Sequence, residues 1–374
     1  MTRPRILHVI HSSGVGGGPN SVTNLCTVLK DDFDMEVVSD GAGDMPARLE
    51  RAGIPMWKMA LTTKWSFSAH IPQLAALVRS RKPALVHLHG QFAGSFGQLA
   101  LQLAGRPRSI YTVRWPSYLD DTGPWSRFRN HAAELVSCGG ATVVVAVSDH
   151  DRRELIARGL CSEGKLRVIH NSYFIEDGVG PAAAAPAPGA DPKAPLVGFV
   201  GRLAPQKGCE YLIQAAPAVL KGHPDACFQL IGDGPERARL EGLAASLGVS
   251  AAVEFAGFDP HPARRMRLMS VLAVPSIYEP LGIVALEGMA MGVPVVASAV
   301  GGLPETIVDG STGILVKPAD PAALAAALVE LIDSPERARR MGAAGRERAL
   351  ASFSPEVVSG RYGELYRELL SASS

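Results

Sequence analysis

Short apolar runs rich in β-branched residues alternate along the chain with longer segments whose apolar residues recur at helical spacing. Such continuously apolar runs are typical of strands in a parallel sheet, because helices cover both faces of that sheet. In the first half of the chain the pattern predicts strands at 5–11, 36–39, 84–89, 109–113, 142–148 and 167–170. The alternation therefore predicts an α/β domain built on a doubly wound parallel sheet.

A segment rich in proline and alanine, residues 178–195, interrupts this alternation. Proline removes amide donors and blocks regular structure, so the segment is interpreted as a linker between two domains. Beyond it the pattern restarts and predicts a second doubly wound sheet, with strands at 196–200, 227–231, 253–256, 271–275, 293–297 and 313–316. The predicted organisation is an N-terminal domain over 1–177, a C-terminal domain over 196–354, and an amphipathic helix over 355–374 with the option of packing back on the N-terminal domain.

Composition narrows the class of protein. The length of 374 residues and the apolar content of 47% suffice for two domains, each with its own core. The 37 Lys and Arg residues nearly balance the 36 Asp and Glu residues, so no overall field favours nucleic acid or an anionic membrane, and any such attraction must be local. Five scattered cysteines form no C-x-x-C pair, which argues against a disulfide framework or a zinc site and fits a reducing cytoplasm. We find no signal-peptide pattern and no apolar run near the ~20 residues that span a bilayer, and we expect a cytoplasmic protein, peripheral to a membrane at most.

The segment 275–298 carries the most informative chemistry. It follows a predicted strand, with Glu279 in the loop before a predicted helix and Glu287 within that helix. A carboxylate can accept paired hydrogen bonds from a cis-diol, so Glu287 is the candidate for the ribose hydroxyls and Glu279 for the donor sugar. The unpaired amides where the helix opens suit a diphosphate, and they belong to Leu281, Gly282 and Ile283. The alternative is that Glu279 caps the helix and Glu287 is a solvated helical residue.

Two cations follow the first predicted strand of the C-terminal domain. Gly201 ends that strand, and Arg202 and Lys207 come next, five residues apart. Ligands of open α/β sheets sit beyond the carboxyl ends of the strands, so both side chains are placed to hold phosphate. The alternative is a pair of solvated loop cations. The turn at 231–235 is a further strand end, at which glycine lets the backbone approach a ligand.

Several of these motifs occur in a fixed order: Gly201-Arg-Leu, Lys207-Gly, Gly232-Asp-Gly-Pro, the pair Glu279 and Glu287, Gly292-Val-Pro-Val-Val-Ala, and Gly301-Gly-Leu-Pro-Glu305. Together they resemble the retaining GT-B glycosyltransferases of glycosyltransferase family 4, also called glycosyl transferases group 1. The resemblance covers essentially the whole C-terminal domain. It implies the GT-B fold, in which two Rossmann-like domains face each other across a cleft. It also implies a reaction that needs no metal and no cofactor besides the nucleotide-diphosphate sugar.

The resemblance implies a role for each matching residue. In that family the arginine and lysine bind the diphosphate, which makes Arg202 and Lys207 catalytic candidates. The second glutamate of the family binds ribose and the first contacts the donor sugar, which implies these roles for Glu287 and Glu279. Glu279 is thereby the third catalytic candidate. The implied reaction transfers a sugar to an acceptor hydroxyl with retention of anomeric configuration, in glycan, glycolipid or glycosylated-metabolite biosynthesis.

A glycine-rich loop at 13–20 follows the first predicted strand. Gly17 and Gly18 let backbone amides approach a donor phosphate or sugar, and Asn20 ends the loop on the acceptor or donor-sugar side. A rival interpretation is a dinucleotide-binding fingerprint with Asp40 as the ribose-binding acid, as in a nicotinamide-dependent oxidoreductase. The glycine spacing departs from G-x-G-x-x-G, however, and the resemblance makes the loop a wall of the catalytic cleft.

Two histidines end the predicted strand 84–89. We expect His87 and His89 to point to opposite faces, so that only one of them faces the cleft. Because His89 is nearer the loop, it is the candidate for the active site, with a structural hydrogen-bonding role as the alternative.

The next strand ends in a departure from the family. Relatives often carry Thr-x-His-Gly there, whereas this chain has Thr112-Val-Arg-Trp. Arg114 then replaces a titratable ring by a fixed cation, which points to an acidic sugar or an acidic acceptor. The alternative is an ion pair between Arg114 and Asp120 or Asp121.

The aromatic residues bear on the partners. The tryptophans are Trp57, Trp65, Trp115 and Trp125, with Lys58, Lys64, Arg114, Arg127 and Arg129 close in sequence. Such rings either stack on sugars, sit at a membrane interface, or belong to the core or to an interface. The predicted partners are a nucleotide-sugar donor and a carbohydrate, lipid-linked or small-molecule acceptor, with peripheral contact at the inner membrane face through the N-terminal domain. The competing functions are an oxidoreductase and a non-catalytic sugar-nucleotide-binding protein.

Overall fold

The computed structural model describes residues 3–14, 16–59, 64–114, 123–175 and 194–372. The chain divides into two compact units, the first comprising 1–171 with 355–374 and the second comprising 172–354. Most of the predicted linker, residues 178–193, lies outside the described part of the chain.

The first unit is built on a parallel sheet. Its strands are β1 (Arg5–Ile10), β2 (Asp34–Ser39), β3 (Met56–Lys58), β4 (Leu85–His89), β5 (Ser109–Thr112), β6 (Val143–Ala146) and β7 (Leu166–Val168), in the order β3-β2-β1-β4-β5-β6-β7. Its helices are α1 (Gly17–Leu29), α2 (Met45–Arg51), α3 (Lys64–Arg81), α4 (Gly90–Leu103), α5 (Pro124–Gly140), α6 (Asp149–Ala157) and α14 (Pro355–Ser371). Each predicted strand is present, whereas β3 was not predicted because this edge strand is short and largely exposed.

The second unit repeats the plan. Its parallel strands are β8 (Leu196–Val200), β9 (Cys227–Ile231), β10 (Val253–Gly257), β11 (Val271–Val274), β12 (Val295–Ser298) and β13 (Ile314–Val316), in the order β10-β9-β8-β11-β12-β13. Its helices are α7 (Cys209–Gly222), α8 (Arg237–Ser246), α9 (Ala263–Met266), α10 (Ile283–Ala290), α11 (Leu303–Thr306), α12 (Pro321–Asp333) and α13 (Pro335–Phe353). The predicted fold class, two Rossmann-like α/β domains, is confirmed.

The order of the strands reverses at one point in each sheet, between β1 and β4 in the first and between β8 and β11 in the second. Loops that follow the two strands at such a point diverge and leave a crevice at the carboxyl edge of the sheet. Each unit therefore has one preferred place for a ligand. Of the candidate residues, Arg202, Lys207 and Glu279 lie in loops that follow these strands, His89 ends β4, and Arg114 follows the neighbouring strand β5.

Helix α14 belongs to the first unit, although it follows the whole second unit in sequence. It packs on α1, and Tyr366 is fully buried in a core that also contains residues of β1 and β2. The boundary between the units falls at 171, ahead of the predicted end of the N-terminal domain at 177. Within the second unit, the Tyr173 amide donates a hydrogen bond to the carbonyl of Phe353.

No helix in the described part of the chain is both long enough and apolar enough to span a membrane.

Candidate active site

Two loops meet at the carboxyl edge of the second sheet, one after β8 and one after β9. The Leu203 amide donates to the carbonyl of Asp233 at 3.0 Å, and the Gly201 amide donates to the carbonyl of Ile231 at 2.9 Å. A Cβ atom on Gly232 would lie only 1.8 Å from the carbonyl oxygen of Gly201, so any larger residue would separate the loops. The two glycine motifs therefore build one surface beside Arg202, whose side chain is exposed and has no ion-pair partner among the described residues.

Lys207 and Glu279 form an ion pair across the switch point of the second sheet. Lys207 ends a short 3₁₀ turn after β8, and the Ile277 amide of the loop after β11 donates to the carbonyl of Gln206 at 3.0 Å. This contact joins the loops and brings the Lys207 ammonium 2.5 Å from the Glu279 carboxylate. The Ser276 hydroxyl also donates to that carboxylate, at 3.4 Å. A positive and a negative charge thus lie together where a ligand of this sheet would bind.

The backbone of Glu279 is held by the glycine pair of the 301–305 motif. The Gly302 amide donates to the Glu279 carbonyl at 3.0 Å, and a Cβ atom on Gly301 would lie 1.9 Å from the same oxygen. Gly301 also has a φ of +54°, a conformation that side chains other than glycine rarely adopt. The 301–305 motif, which follows β12, therefore fixes the position of Glu279, and Glu279 is only 7% exposed.

Helix α10 begins at Ile283, directly after Gly282. No side chain caps its first turn, so the amides at its start remain available to an anion. Leu281 and Gly282 are buried and Ile283 is half-buried. Glu287 lies in the second turn of α10 and is half-buried, so it is not a fully solvated residue. Glu279 does not cap the helix through its side chain.

The glycine-rich loop of the first unit is braced by Asp40. The Asp40 carboxylate accepts hydrogen bonds from the Ser13 amide at 2.8 Å, from the Ser13 hydroxyl at 2.7 Å and from the Ala42 amide at 3.1 Å. Burial alone would raise the pKa of Asp40, but these hydrogen bonds outweigh it and lower the pKa. Asp40 is thus engaged by protein groups, which disfavours its assignment as a ribose-binding acid.

Helix α1 begins at Gly17 and continues through Gly18, and no side chain caps its first turn. Its first amides are therefore available to an anion. Asn20 lies in the same turn, and its side-chain oxygen accepts a hydrogen bond from Arg48 at 2.7 Å. Arg48 was not predicted, because it is far from the loop in sequence.

Three histidines form a buried cluster at the switch point of the first sheet. His8 Nδ1 lies 3.1 Å from His89 Nε2, and the rings of His87 and His89 lie 3.9 Å apart. The prediction that His87 and His89 point to opposite faces is wrong, because residues two apart in a strand share a face. His8 was missed, although β1 pairs it with His87 in the register of the sheet.

The cluster connects α14 to Arg114. His87 lies 2.7 Å from both the Tyr366 hydroxyl and the Thr112 hydroxyl. Burial lowers the pKa of His8 to about 3, and it also lowers the pKa of His87 and His89 well below the usual value. The neighbouring charge of Arg114 adds to all three shifts. The histidines are therefore neutral hydrogen-bonding groups at physiological pH.

Arg114 is partly buried above this cluster. Its guanidinium donates to the side-chain oxygen of Asn171 at 2.6 Å and lies 3.1 Å from His89 Nδ1. Burial lowers its pKa, yet an arginine remains charged at any physiological pH. Among the described residues no carboxylate pairs with it, and the suggested partners Asp120 and Asp121 lie outside the described part of the chain.

Nitrogen atoms of the three histidines lie within 4.8 Å of one another, a spacing that a metal ion would permit. Both nitrogens of His87 already have hydroxyl partners, and the adjacent guanidinium would repel a cation. We therefore interpret the cluster as a hydrogen-bonded support for Arg114.

The tryptophans have separate environments. Trp57 donates a hydrogen bond to Glu36 at 2.9 Å and is a structural residue, while Trp125 on α5 is 76% exposed. Trp115 and the side chain of Trp65 lie outside the described part of the structure.

Each doubly wound domain has a glycine-rich strand end and an uncapped helix start near the switch point of its sheet, and the second domain also has the Lys207–Glu279 pair. Uncapped amides and a cation of this kind can bind an anion. Residues 183–348 match the family described as glycosyl transferases group 1, and residues 16–172 match the glycosyl transferase 4-like domain. The chain is 30% identical to the alpha-maltose-1-phosphate synthase of Mycolicibacterium smegmatis, over 95% of this chain and 96% of that protein. It belongs to the group 1 glycosyltransferases, which confirms the resemblance seen in the motifs.

Solved structures agree with this assignment. The sucrose-phosphate synthase of Thermosynechococcus elongatus superposes with a TM-score of 0.79 at 25% identity, covering 99% of this chain and 100% of that one. The Anabaena protein HepE, solved with UDP and glucose, superposes with a TM-score of 0.82 at 22% identity, covering 98% of this chain and 100% of that one. The latter shows the shared fold.

Proposed function

We propose that this glycosyltransferase moves a sugar from a nucleotide-diphosphate donor to an acceptor hydroxyl with retention of anomeric configuration. The observation that carries the proposal is the Lys207–Glu279 pair, held at the switch point of the second sheet beside uncapped amides. The ammonium group has three donors, so its bond to Glu279 leaves others for a phosphate. Solved relatives of the same fold contain UDP or UDP-glucose, which supports a nucleotide-sugar donor.

In the proposed mechanism the chain neutralises the leaving nucleotide diphosphate without a metal. Arg202 and Lys207 contact the diphosphate, while the amides at the start of α10 face its oxygens. Glu287 binds the ribose hydroxyls, and Glu279 positions the donor sugar. The acceptor hydroxyl attacks the anomeric carbon of the donor sugar from the same face that the diphosphate leaves, so the configuration is retained. The proton of the hydroxyl passes to an oxygen of the leaving diphosphate.

The binding test is a thermal-shift screen of the whole protein against UDP, GDP and ADP sugars. A ligand at ~100 times its Kd stabilises the protein by about 2.7 kcal/mol, which gives a clear shift in Tm. We expect the sugar nucleotides of one base to stabilise the protein. We also expect the best of them to be slowly hydrolysed in the absence of an acceptor. Stabilisation by NAD and by none of the sugar nucleotides would overturn the proposal.

The two glutamates are expected to fail in different ways. Glu287→Gln should lower the affinity for the bare nucleoside diphosphate and for the sugar donor alike, because the lost contact is to the ribose. Glu279→Gln should keep affinity for the bare nucleotide and lower kcat with the sugar donor. Calorimetry with the nucleotide, combined with turnover, separates the two outcomes. Equal losses of nucleotide affinity in both variants would contradict this division.

We propose further that the acceptor carries an anionic group that Arg114 binds. Its charge has no carboxylate partner in the described part of the chain, and neutral histidines and an amide hold the guanidinium in place. Two relatives act with phosphorylated sugars or polyols by name, the maltose-1-phosphate synthase and a D-inositol 3-phosphate glycosyltransferase of Streptomyces avermitilis. A planar guanidinium can bind phosphate or carboxylate through two parallel hydrogen bonds.

Arg114→His should therefore lower kcat/KM for an anionic acceptor at least about ten-fold more than for its neutral analogue, since imidazole lacks the paired donors. The comparison is made with glucose 1-phosphate and glucose at matched ionic strength. Arg153→His, at an exposed position of α6, is the control and should change neither value. Equal losses for both acceptors would show that Arg114 has a structural role only.

The proposal also includes a cytoplasmic location, which the free state of all five cysteines supports, and a lipid-linked acceptor reached by peripheral membrane contact.

A further inference from the structure

Helix α5 has its polar and apolar faces reversed relative to the surrounding fold. Its buried face carries Glu134 and Ser137 beside the smaller Cys138, and the Glu134 carboxylate accepts a hydrogen bond from the buried Tyr111 hydroxyl at 2.7 Å. A helix that covers a sheet normally turns its apolar side chains inward. The large apolar residues of α5 are instead exposed: Trp125 (76%), Phe128 (64%), Leu135 (42%) and Val136 (41%).

These four residues, which we name the α5 stripe, share one side of the helix. Their spacing of three, seven and one residues keeps them within a single face of an α-helix. The rings of Trp125 and Phe128 stack with their centroids 5.7 Å apart and form a raised aromatic end of the stripe. An apolar surface of this kind on a monomer indicates a site of interaction.

The other end of the stripe borders a groove of about 450 Å³ between α4 and α5. Leu135 and Val136 belong to both the stripe and the groove, and Leu101 of α4 extends the apolar lining. Arg106 is the only charged residue among those that line this groove. The groove thus combines an apolar wall with one cation.

The charges beside the stripe are positive. Arg129 of α5 is exposed beside the stripe, and Glu134, the only acidic residue of the helix, is buried on the opposite face. With Arg106, the stripe is bordered by two arginines. An apolar surface with aromatic residues and cations at its border matches the interface of a bilayer that contains anionic lipid.

We infer that the α5 stripe and its groove bind the surface of a membrane that contains anionic phospholipid. The aromatic rings enter the boundary between headgroups and acyl chains, while the arginines contact lipid phosphates. A second copy of the chain fits less well, because pairing of two stripes would bring the bordering arginines, Arg106 and Arg129, of both copies close together. This inference rests on the peripheral membrane contact included in the proposed function, and it names the surface at which the enzyme meets a lipid-linked acceptor.

The test is co-sedimentation of the whole protein with vesicles of phosphatidylcholine, with and without phosphatidylglycerol. We expect binding to the vesicles that contain phosphatidylglycerol, with a blue shift of tryptophan fluorescence. The double variant Trp125→Ser/Phe128→Ser should bind at least about ten-fold more weakly. Arg106→Gln/Arg129→Gln should bind more weakly too, and it should lose the dependence on anionic lipid.

Phe258→Ser is the matched control, since Phe258 is 58% exposed in the second unit, and it should bind vesicles like the wild type. Donor hydrolysis should be unchanged in the aromatic and the arginine double variants. A failure of membrane binding can therefore be distinguished from a failure of the donor assignment. The inference would be overturned if the wild-type protein did not bind vesicles with phosphatidylglycerol. It would also be overturned if the variants of the stripe and of its arginines bound these vesicles as strongly as the wild type. A wild-type dimer that the double variant converts to monomer would assign the stripe to self-association instead.

Discussion

Replacing Lys207 by alanine is expected to lower kcat/KM by roughly ten- to a thousand-fold, which corresponds to about 1.4–4 kcal/mol of lost transition-state stabilisation. The variant removes a charge from the leaving diphosphate and also leaves the Glu279 carboxylate without its ion-pair partner. Glu279 is mostly buried, so its unpaired charge would oppose the approach of a phosphate. Arg202→Ala should fall within the same range, but without the second effect, because Arg202 has no ion-pair partner among the described residues.

The pair of variants distinguishes the two contributions. Initial rates with the identified donor give kcat/KM, and circular dichroism checks that both variants fold. Lys221→Ala, at an exposed position of α7, controls for the loss of a lysine in the same unit. The double variant Lys207→Ala/Glu279→Gln should recover nucleotide affinity relative to Lys207→Ala, because the unpaired charge is gone. Wild-type activity in both Lys207→Ala and Arg202→Ala would refute the phosphate assignment.

The stability of the first unit should fall steeply as the pH decreases below about 6.5. His8, His87 and His89 are neutral in the folded state, because burial and Arg114 lower the pKa of each. In the unfolded chain each has the ordinary pKa of about 6.5 and binds a proton as the pH falls. Because the unfolded state then binds more protons, stability is present above pH 6.5 and is lost toward the folded pKa, about 3 for His8.

Between pH 7.5 and 5.5 each histidine is expected to contribute a loss of about 1.4 kcal/mol, or about 4 kcal/mol for the cluster. Urea unfolding at a series of pH values, monitored by tryptophan fluorescence, measures this slope; the tryptophans all belong to the first unit. His8→Asn should reduce the slope by about a third. His261→Gln, at an exposed position of the second unit, should leave it unchanged. A wild-type slope near zero across this range would mean that the cluster is protonated in the folded protein.

The sequence predicts most of the strands because each is a continuous apolar run, and such a run has few alternatives in a parallel sheet. The edge strand β3 was not predicted, because its three residues are mostly exposed and do not form a continuous apolar run. Contacts between distant residues are harder to predict. Tyr366 meets His87, and Asn171 meets Arg114, yet nothing in the local pattern of either residue records its partner.

The Lys207–Glu279 pair illustrates what a family resemblance adds. Its members are 72 residues apart, and the motifs place each at a strand end of the donor domain without stating that they touch. The error at His87 and His89 has another origin. The period of two in a strand places these residues on one face, and with that rule the sequence would have predicted two neighbouring rings.

The position of α14 has a consequence for the order in which the protein is made. Residues 1–171 leave the ribosome first, yet the pocket of their core that receives Tyr362 and Tyr366 stays open until the whole second unit has been translated. In that interval His87 lacks its tyrosine partner, and apolar residues of α1 face water. The second unit is continuous in sequence and can complete its core earlier. The nascent chain therefore exposes its N-terminal half to chaperones for longest, and translation of 355–371 is the event that closes it.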